Sequence, residues 1–472
     1  MNNANLKGVK HIHFVGIKGV GVAPLAIYAN EAKIAVSGSD IADEFITDEV
    51  LLEKGISWTV GFGPEDIPQK TNLVIATGAH GGLENPQVLA ARKRNIPVWM
   101  QGEALGKFME GSFGIAVTGS HGKTTTAAML ATLLSKANFD PSYIVGCASM
   151  RPLGPAGHKG KGQYFVAEAD EYANEPNVDK TPKFLYLSPK IIMATNIDFD
   201  HPDLFASIDD VRMQFLAFFE KLPSDGVAII NGDDAELQKI QSAIPARVIT
   251  FGRTVKSDFS VQHVGSIPQK TTFFAKHKDV SLGQFAIGIP GTHNVQNALS
   301  VIAAGFELGL PVDVIREHLS VFQGGKRRFE YKGKLPSGAV LFDDYAHHPK
   351  EISETLFATR QWFPKAKITV IFQPHTYSRT KALFEQFAHA FGSADRVILT
   401  DIYASLREEK DPNVSSETLV SAMKKIGVTA EYIPNMKDVV QYSADWKLKE
   451  GDVVMIMGAG DIYKIAPSFF KA

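Results

Sequence analysis

The chain reads as an α/β protein of three domains built on largely parallel sheets. Three observations predict this. The length is 472 residues, against about 150 for an ordinary domain. Short apolar runs alternate with helical patterns from residue 10 onward, as βαβ units with right-handed crossovers require. Several of those runs end in polar or glycine-rich loops, and parallel sheets present ligand sites at such strand ends.

The elements follow in order. Over 1–112, strands are expected at 11–15, 34–37, 73–77 and 96–99, with helices at 20–30 and 86–95. Over 113–322, a strand at 113–117 leads into a helix at 127–137. Strands follow at 164–167, 191–195, 227–231 and 248–251, then a β-rich stretch at 258–290 and a helix at 294–308. Over 323–472, the turn-prone Gln323-Gly324-Gly325-Lys326 opens a third α/β series. Its strands are 340–342, 368–372, 397–400 and 453–457, and its helices 350–362 and 380–391.

Apolar residues make up 44% of the chain and charged residues 21%, an ordinary globular composition. Lys and Arg total 49 against 51 Asp and Glu, a formal charge of −2. Nothing there suggests a nucleic-acid or membrane surface. The single cysteine, Cys147, lies in an apolar run and reads as a buried structural thiol. The first residues, Met-Asn-Asn-Ala-Asn, carry no basic-then-apolar leader, and no apolar run reaches the roughly 18 residues of a membrane helix. The expectation is a cytoplasmic protein.

Gly119-Ser120-His121-Gly122-Lys123-Thr124-Thr125-Thr126 is the most informative stretch. A Gly-rich turn between strand and helix aims several backbone N–H groups at one anion. Lys123 adds a point charge for the outer phosphates, and Thr124 offers a hydroxyl to Mg2+. The loop is shorter than G-x-x-x-x-G-K-[ST], which points to a distinct class of ATP or GTP site. Gly16-Ile17-Lys18-Gly19-Val20-Gly21 follows the first strand and suits a diphosphate, though its spacing is not that of the dinucleotide fingerprint. Asp40 ends the second strand, as a ribose or base acceptor or as a turn aspartate. Thr77-Gly78-Ala79-His80 lies after another strand and could line the same crevice.

Glu168-Ala169-Asp170-Glu171 brings three carboxylates to a strand end, where Mg2+ could take one or two; Glu171 reads equally as a solvated charge. His201, in Asp198-Phe199-Asp200-His201, is an unusual ligand for Mg2+ and reads by itself as structural. His293, Asn294 and Asn297 form a polar set that could meet adenine, while Asn294 could simply cap its helix. Lys326-Arg327-Arg328 is a surface cluster or a phosphate clamp. Asp343-Asp344-Tyr345-Ala346-His347-His348-Pro349 is too polar for a plain turn. In Gln373-Pro374-His375-Thr376-Tyr377-Ser378-Arg379, His375 and Arg379 could receive a carboxylate.

As an ordered set, these motifs resemble the Mur ligases from about residue 10 to 466. The resemblance implies a Rossmann-like UDP-binding domain over 1–112, a central P-loop ATPase-type mixed-sheet domain over 113–322, and a Rossmann-like amino-acid-binding domain over 323–472. It implies ATP-dependent ligation of L-alanine to UDP-N-acetylmuramate through an acyl phosphate, with Mg2+ or Mn2+. Partners would be small molecules only, with no nucleic acid and no membrane, and the chain a monomer or weak homodimer. It assigns catalysis to Lys123, Glu168, His201 and Arg327. ATP would be held by Gly119, Ser120, His121, Gly122, Lys123, Thr124, Thr125, His293, Asn294, Asn297, Arg327, Asp344 and His347. Metal falls to Thr124, Glu168 and His201, and the UDP-sugar to Gly16, Gly19, Gly21, Asp40, Thr77 and His80. The amino acid falls to His348, His375 and Arg379.

Two departures stand out. Alanine-adding members run Ser-Asp-x-Ser-Phe after this acidic motif, whereas 172–184 is longer here. Glu-Ala-Asp-Glu-Tyr and Phe-Asp-His look instead like members that add a murein tripeptide, the alternative acceptor. A dehydrogenase would leave the 119–126 loop unexplained, and a GTPase or kinase lacks the spacing. A non-catalytic nucleotide sensor would not need the Lys123, Glu168, His201 and Arg327 set.

Overall fold

The structure, a computed structural model, describes residues 6–201, 203–254, 256–267, 269–404 and 408–471. Residues 1–5, on which the expectation about a leader falls, lie outside them. The chain contacts divide into two compact units: 1–263 with 273–286 and 296–325, and 264–272 with 287–295 and 326–472.

The first unit carries a five-stranded parallel sheet in the order Thr59–Val60, Ala35–Asp40, His11–Val15, Leu73–Ala76, Val98–Met100. His11–Val15 and Leu73–Ala76 are buried throughout, as central strands covered on both faces must be. A ten-stranded sheet follows. At its centre Phe113–Thr118 pairs in parallel with Ile191–Ala194 on one side and Tyr164–Glu168 on the other. Three strands, Phe259–Ile267, Lys270–His277 and Val280–Ile287, occupy the expected β-rich stretch. The second unit holds a six-stranded sheet, parallel except for Glu330–Lys334, which pairs antiparallel with Val340–Asp344. Among the described residues, no helix is long and apolar enough to cross a membrane.

Several boundaries differ from expectation. The first helix is Ala23–Glu31, because 16–22 is taken up in successive turns and Pro24 suits a first helical turn. The second strand runs on to Asp40, since its polar end still pairs with His13–Val15. The helix of the phosphate loop starts at Lys123, four residues early, after Gly122 at φ +81°. The expected 380–391 helix is two short ones, Tyr377–Ala382 and Phe384–His389, parted at Leu383. Cys147 is buried, as expected.

Candidate functional site

The phosphate loop is held from below by the neighbouring strand end. Thr195 Oγ1 donates to the carbonyls of Thr118 (3.2 Å) and His121 (2.5 Å). Asn196 accepts from the His121 N–H (2.9 Å) and returns its amide to the His121 carbonyl (2.9 Å). Ser120 is tied to Asp198 in both directions. Gly119 sits at φ +137°, and a Cβ there would stand 2.0 Å from Thr195 Oγ1. Gly122 leaves no room either, with Asn297 Oδ1 2.9 Å from where its Cβ would be. The loop's glycines are therefore demanded by conformation and by close approach.

Above this loop lies an acidic cluster. Lys123 Nζ donates to Glu171 at 2.9 and 3.1 Å and is 3.7 Å from Asp170. Burial alone would lower the Lys123 ammonium, but Glu171, Asp170 and Glu168 outweigh it and hold the group above its ordinary value. Burial pushes the Glu171 carboxyl up, with Lys123 opposing. Asp170 is held well below its usual range: burial opposes this, and Lys183 and Lys123 prevail. The Thr124 hydroxyl donates to Glu168 Oε1 at 2.8 Å, and the Gly146 N–H to Glu168 Oε2 at 2.7 Å. His201 Nε2 lies 3.9 Å from Glu171, its ring edge-on to Tyr172 at 4.7 Å. The structure thus gathers Lys123, Thr124, Glu168, Glu171 and His201 in one place. The Thr124 hydroxyl and Glu168 carboxylate are hard oxygen donors side by side. Mg2+ usually draws only one or two carboxylates from protein and the rest from phosphate and water, so the donor set fits it. Among the described residues, no three or more His, Cys, Asp or Glu form a metal cage.

In the first sheet, Asp40 is fully buried, accepting from the Lys18 and Ile41 N–H groups, both at 2.8 Å. As placed, it braces the 16–21 loop. Lys18 is buried too, donating to the Asp43 carbonyl and 3.6 Å from Asp48. His80, at φ +54°, sets Nε2 3.6 Å from Asp40, and Thr77 packs where Gly16 would carry a Cβ. Gly21 lies against the Gln101 amide, while Gly19 turns back to Gly16.

The second unit has its own cluster at the C-terminal ends of parallel strands. Arg327, at φ +59° and 3% exposed, gives Nε to Asp343 at 3.2 Å and its other nitrogens to the carbonyls of Gly458 and Gly460. Its neighbour Arg328 is half-buried, its guanidinium 4.9 Å over the Tyr345 ring. Asp344 accepts from the N–H groups of Phe329 (2.7 Å) and Ala346 (2.8 Å), and burial raises its carboxyl to about 6. His347 Nδ1 is 3.0 Å from the Tyr345 carbonyl, and its ring is 6.0 Å from His375. His375 stacks on Tyr403 at 5.6 Å, and Arg379 donates to the His375 carbonyl at 3.0 Å. His348 caps the helix Pro349–Trp362, accepting from Lys350 N–H in a capping box with Glu351. His293 lies 3.5 Å from Glu354, and burial lowers its ring pKa. The Asn294 amide donates to the Pro290 carbonyl at 2.7 Å; since Thr292–Glu307 begins before it, it is not a cap.

Sequence reasoning gave no role to Thr195, Asn196, Gly146 or Tyr403. A signal existed for two of them. A Thr-Asn pair ends the strand registered beside the phosphate-loop strand, Ala194 opposite Thr118.

Three family profiles match successive stretches of the chain: the Mur ligase family catalytic domain over 11–113, the Mur ligase middle domain over 117–305, and the Mur ligase glutamate ligase domain over 327–460. The chain is 39% identical to a UDP-N-acetylmuramate–L-alanine ligase of Desulfitobacterium hafniense, over 97% of this chain and 99% of that one. It is 38% identical to a ligase of the same name from Trichlorobacter lovleyi, over 98% and 99%. The crystal structure of a UDP-N-acetylmuramate–alanine ligase from Thermotoga maritima superposes with a TM-score of 0.81 at 27% identity, covering 98% of both chains. A murein peptide ligase from Psychrobacter arcticus shares the fold, with a TM-score of 0.72 at 22% identity over 98% of both chains. With its phosphate loop, acidic cluster and three matched domains, the chain belongs to the Mur ligase family.

Proposed function

We propose that this protein joins L-alanine to the carboxylate of UDP-N-acetylmuramate, converting ATP to ADP and phosphate, as a cytoplasmic monomer or weak homodimer. The observation that carries the reading is the near full-length similarity to ligases of that name, in a chain whose Lys123, Thr124 and Glu168 form one cluster.

A carboxylate is a poor electrophile. Its oxygen attacks the γ-phosphorus, the bond to the ADP oxygen breaks, and an acyl phosphate forms. The alanine amine then attacks the acyl carbon, phosphate leaves, and the new amide nitrogen gives up its proton. Backbone N–H groups of 119–124 and the Lys123 ammonium stabilise charge on the transferring group. Lys123 must first leave Glu171, an exchange of one anion for another. Thr124, Glu168 and His201 would hold Mg2+, which when bound neutralises phosphate charge. Asn297 stands beside the phosphate loop, and His293 and Asn294 serve the nucleoside. Arg327 meets the γ-phosphate, and to do so it would exchange Asp343 and the Gly458 and Gly460 carbonyls for that anion. Asp344 and His347 shape the strand ends beneath the nucleotide. Arg379 and His375, stacked on Tyr403, receive the alanine carboxylate, and His348 holds their neighbouring helix. Gly16, Gly19, Gly21, Thr77 and His80 form the UDP-sugar loops, braced by Asp40.

The test is phosphate release with UDP-N-acetylmuramate and ATP, comparing L-alanine, L-serine, glycine and L-Ala-γ-D-Glu-meso-diaminopimelate. L-alanine should be strongly preferred; preference for the tripeptide would move the chain to the other acceptor. Lys123→Ala should abolish release, and near-normal turnover by that variant would refute the phosphate-loop assignment.

A further inference from the structure

The stretch 172–186, which follows the acidic motif, touches the 77–82 loop at one end and, at the other, the acidic motif that lies beside the phosphate loop. It forms a small hairpin, Ala173–Glu175 with Asp179–Pro182. The first strand is buried although it holds Asn174 and Glu175, at 2% and 1% exposure. Buried polar groups must be paired, and these are. Asn174 Oδ1 accepts from the Gly102 N–H at 3.0 Å, while its amide donates to Asp179 Oδ2 at 3.2 Å. Asp179 also accepts from the Tyr186 hydroxyl at 2.5 Å. Glu175 accepts from the Val178 N–H at 2.6 Å and the Asn177 amide at 3.4 Å.

Four glycines of the UDP-sugar region make a flush seat for this segment. A Cβ on Gly78 would stand 3.0 Å from the Asn174 carbonyl, and on Gly82 2.2 Å from Glu175 Oε1. On Gly102 it would stand 2.8 Å from Asn174 Oδ1, and on Gly106 2.2 Å from the Tyr186 carbonyl. The seated loop is costly to hold by itself. His80, Gly81 and Gly82 take φ values of +54°, +86° and +50° in succession, a left-handed conformation that a non-glycine residue such as His80 holds only under restraint from its surroundings. The base of the same segment reaches the acidic cluster. Lys183 Nζ donates to Asp170 at 3.0 Å, the Phe184 N–H donates to the Asp170 carbonyl, and the Tyr172 ring meets His201. Asp170 in turn lies 3.7 Å from Lys123.

We infer that the 172–186 segment is the positioning element that registers the 77–82 loop, and with it the sugar carboxylate, against the phosphate loop. It acts through Asn174 and Glu175 and touches no reacting atom. The inference rests on the UDP-sugar reading of the 77–82 loop. In-line attack needs the carboxylate oxygen about 3–3.5 Å from phosphorus, and a shift of about 1 Å can cost 100-fold.

The experiment uses the full-length enzyme with Asn174→Ala, and Tyr186→Phe as a milder variant should the first unfold. Amide hydrogen exchange should quicken in 77–82 and stay unchanged in 119–126. For Asn174→Ala, kcat/KM for UDP-N-acetylmuramate should fall about 10- to 100-fold, with KM for ATP within about twofold of the parent; the thermal midpoint should fall as well, because the Gly102 N–H loses its buried acceptor. Tyr186→Phe should change the same quantities in the same direction by less. Unchanged exchange in 77–82 would overturn the inference, as would an equal effect on both substrates. Wild-type enzyme that turns over no UDP-N-acetylmuramate would instead count against the proposed function, and the exchange data would still decide whether this segment sets the loop.

Discussion

Gly146→Ala is a small change with a large expected consequence. Gly146 donates its N–H to Glu168 Oε2 at 2.7 Å, and an added Cβ would lie 2.9 Å from that oxygen and 3.1 Å from Oε1. Ordinary contact needs about half an ångström more, so the carboxylate must move away from the strand. The move strains two charge-assisted hydrogen bonds, from Gly146 N–H and from Thr124 Oγ1. Each is worth about 1.5–3 kcal/mol. The φ of Gly146 is not positive, so alanine also restricts the unfolded chain and returns about 0.4–1 kcal/mol. Net stability should therefore fall by no more than about 2–3 kcal/mol if the carboxylate re-forms one bond. Activity depends on position, and displacement of Glu168 from Thr124 should lower kcat about 10- to 100-fold while raising the Mg2+ concentration for half-maximal rate. The assay is steady-state phosphate release across a Mg2+ titration, with urea unfolding alongside. Activity within twofold of the parent at limiting Mg2+ would refute the argument.

Other outcomes follow from the same geometry. Asn196→Ala removes two hydrogen bonds to the His121 backbone beneath the phosphate loop and leaves Thr195 Oγ1 on its carbonyl; KM for ATP should rise about tenfold, at a stability cost of about 1–3 kcal/mol, read by kinetics and urea unfolding. Asp344→Asn replaces one of two acceptors with a donor facing an N–H. It should destabilise the protein by about 1–3 kcal/mol at pH 7, and a neutral effect in urea unfolding would show the pair to be dispensable. His158 is held above its ordinary value first by Glu31, then by Asp140, against burial. A raised histidine stabilises fully below its unfolded value of about 6.5 and loses this as pH rises through its folded value. Burial works against Glu31, yet His158, Lys54 and the Lys159 N–H carry it down to about 2. Its share is therefore present above its ordinary value of 4.5 and fades toward pH 2. The stability difference between the parent and His158→Ala should shrink from pH 6 to pH 9; a constant difference would disprove the link.

The phosphate loop, the acidic motif and the strand-end clusters were legible because each is local. Glycine spacing, a strand before and a helix after are written within a dozen residues. The error at the 380–391 helix has the opposite origin. An apolar period continues through Leu383, but the backbone leaves the helical region there, at φ −113° and ψ 23°. Arg327 shows the same limit: two adjacent arginines look alike in sequence, and only the fold sends one into Asp343 and leaves the other half-exposed.

By itself the sequence determined which chemistry is available: a cradle for phosphate, hard oxygen donors, and polar loops at the ends of parallel strands. The tertiary structure decided what holds that chemistry in place. Asn196 reaches His121 across 75 residues, Glu171 meets Lys123 across 48, and Asn174 pairs with Gly102 across 72. Such partners are chosen by the order of strands in a sheet and by the crossovers between them. Residue spacing records a neighbour along the chain, whereas these contacts depend on which strand ends the sheets set side by side.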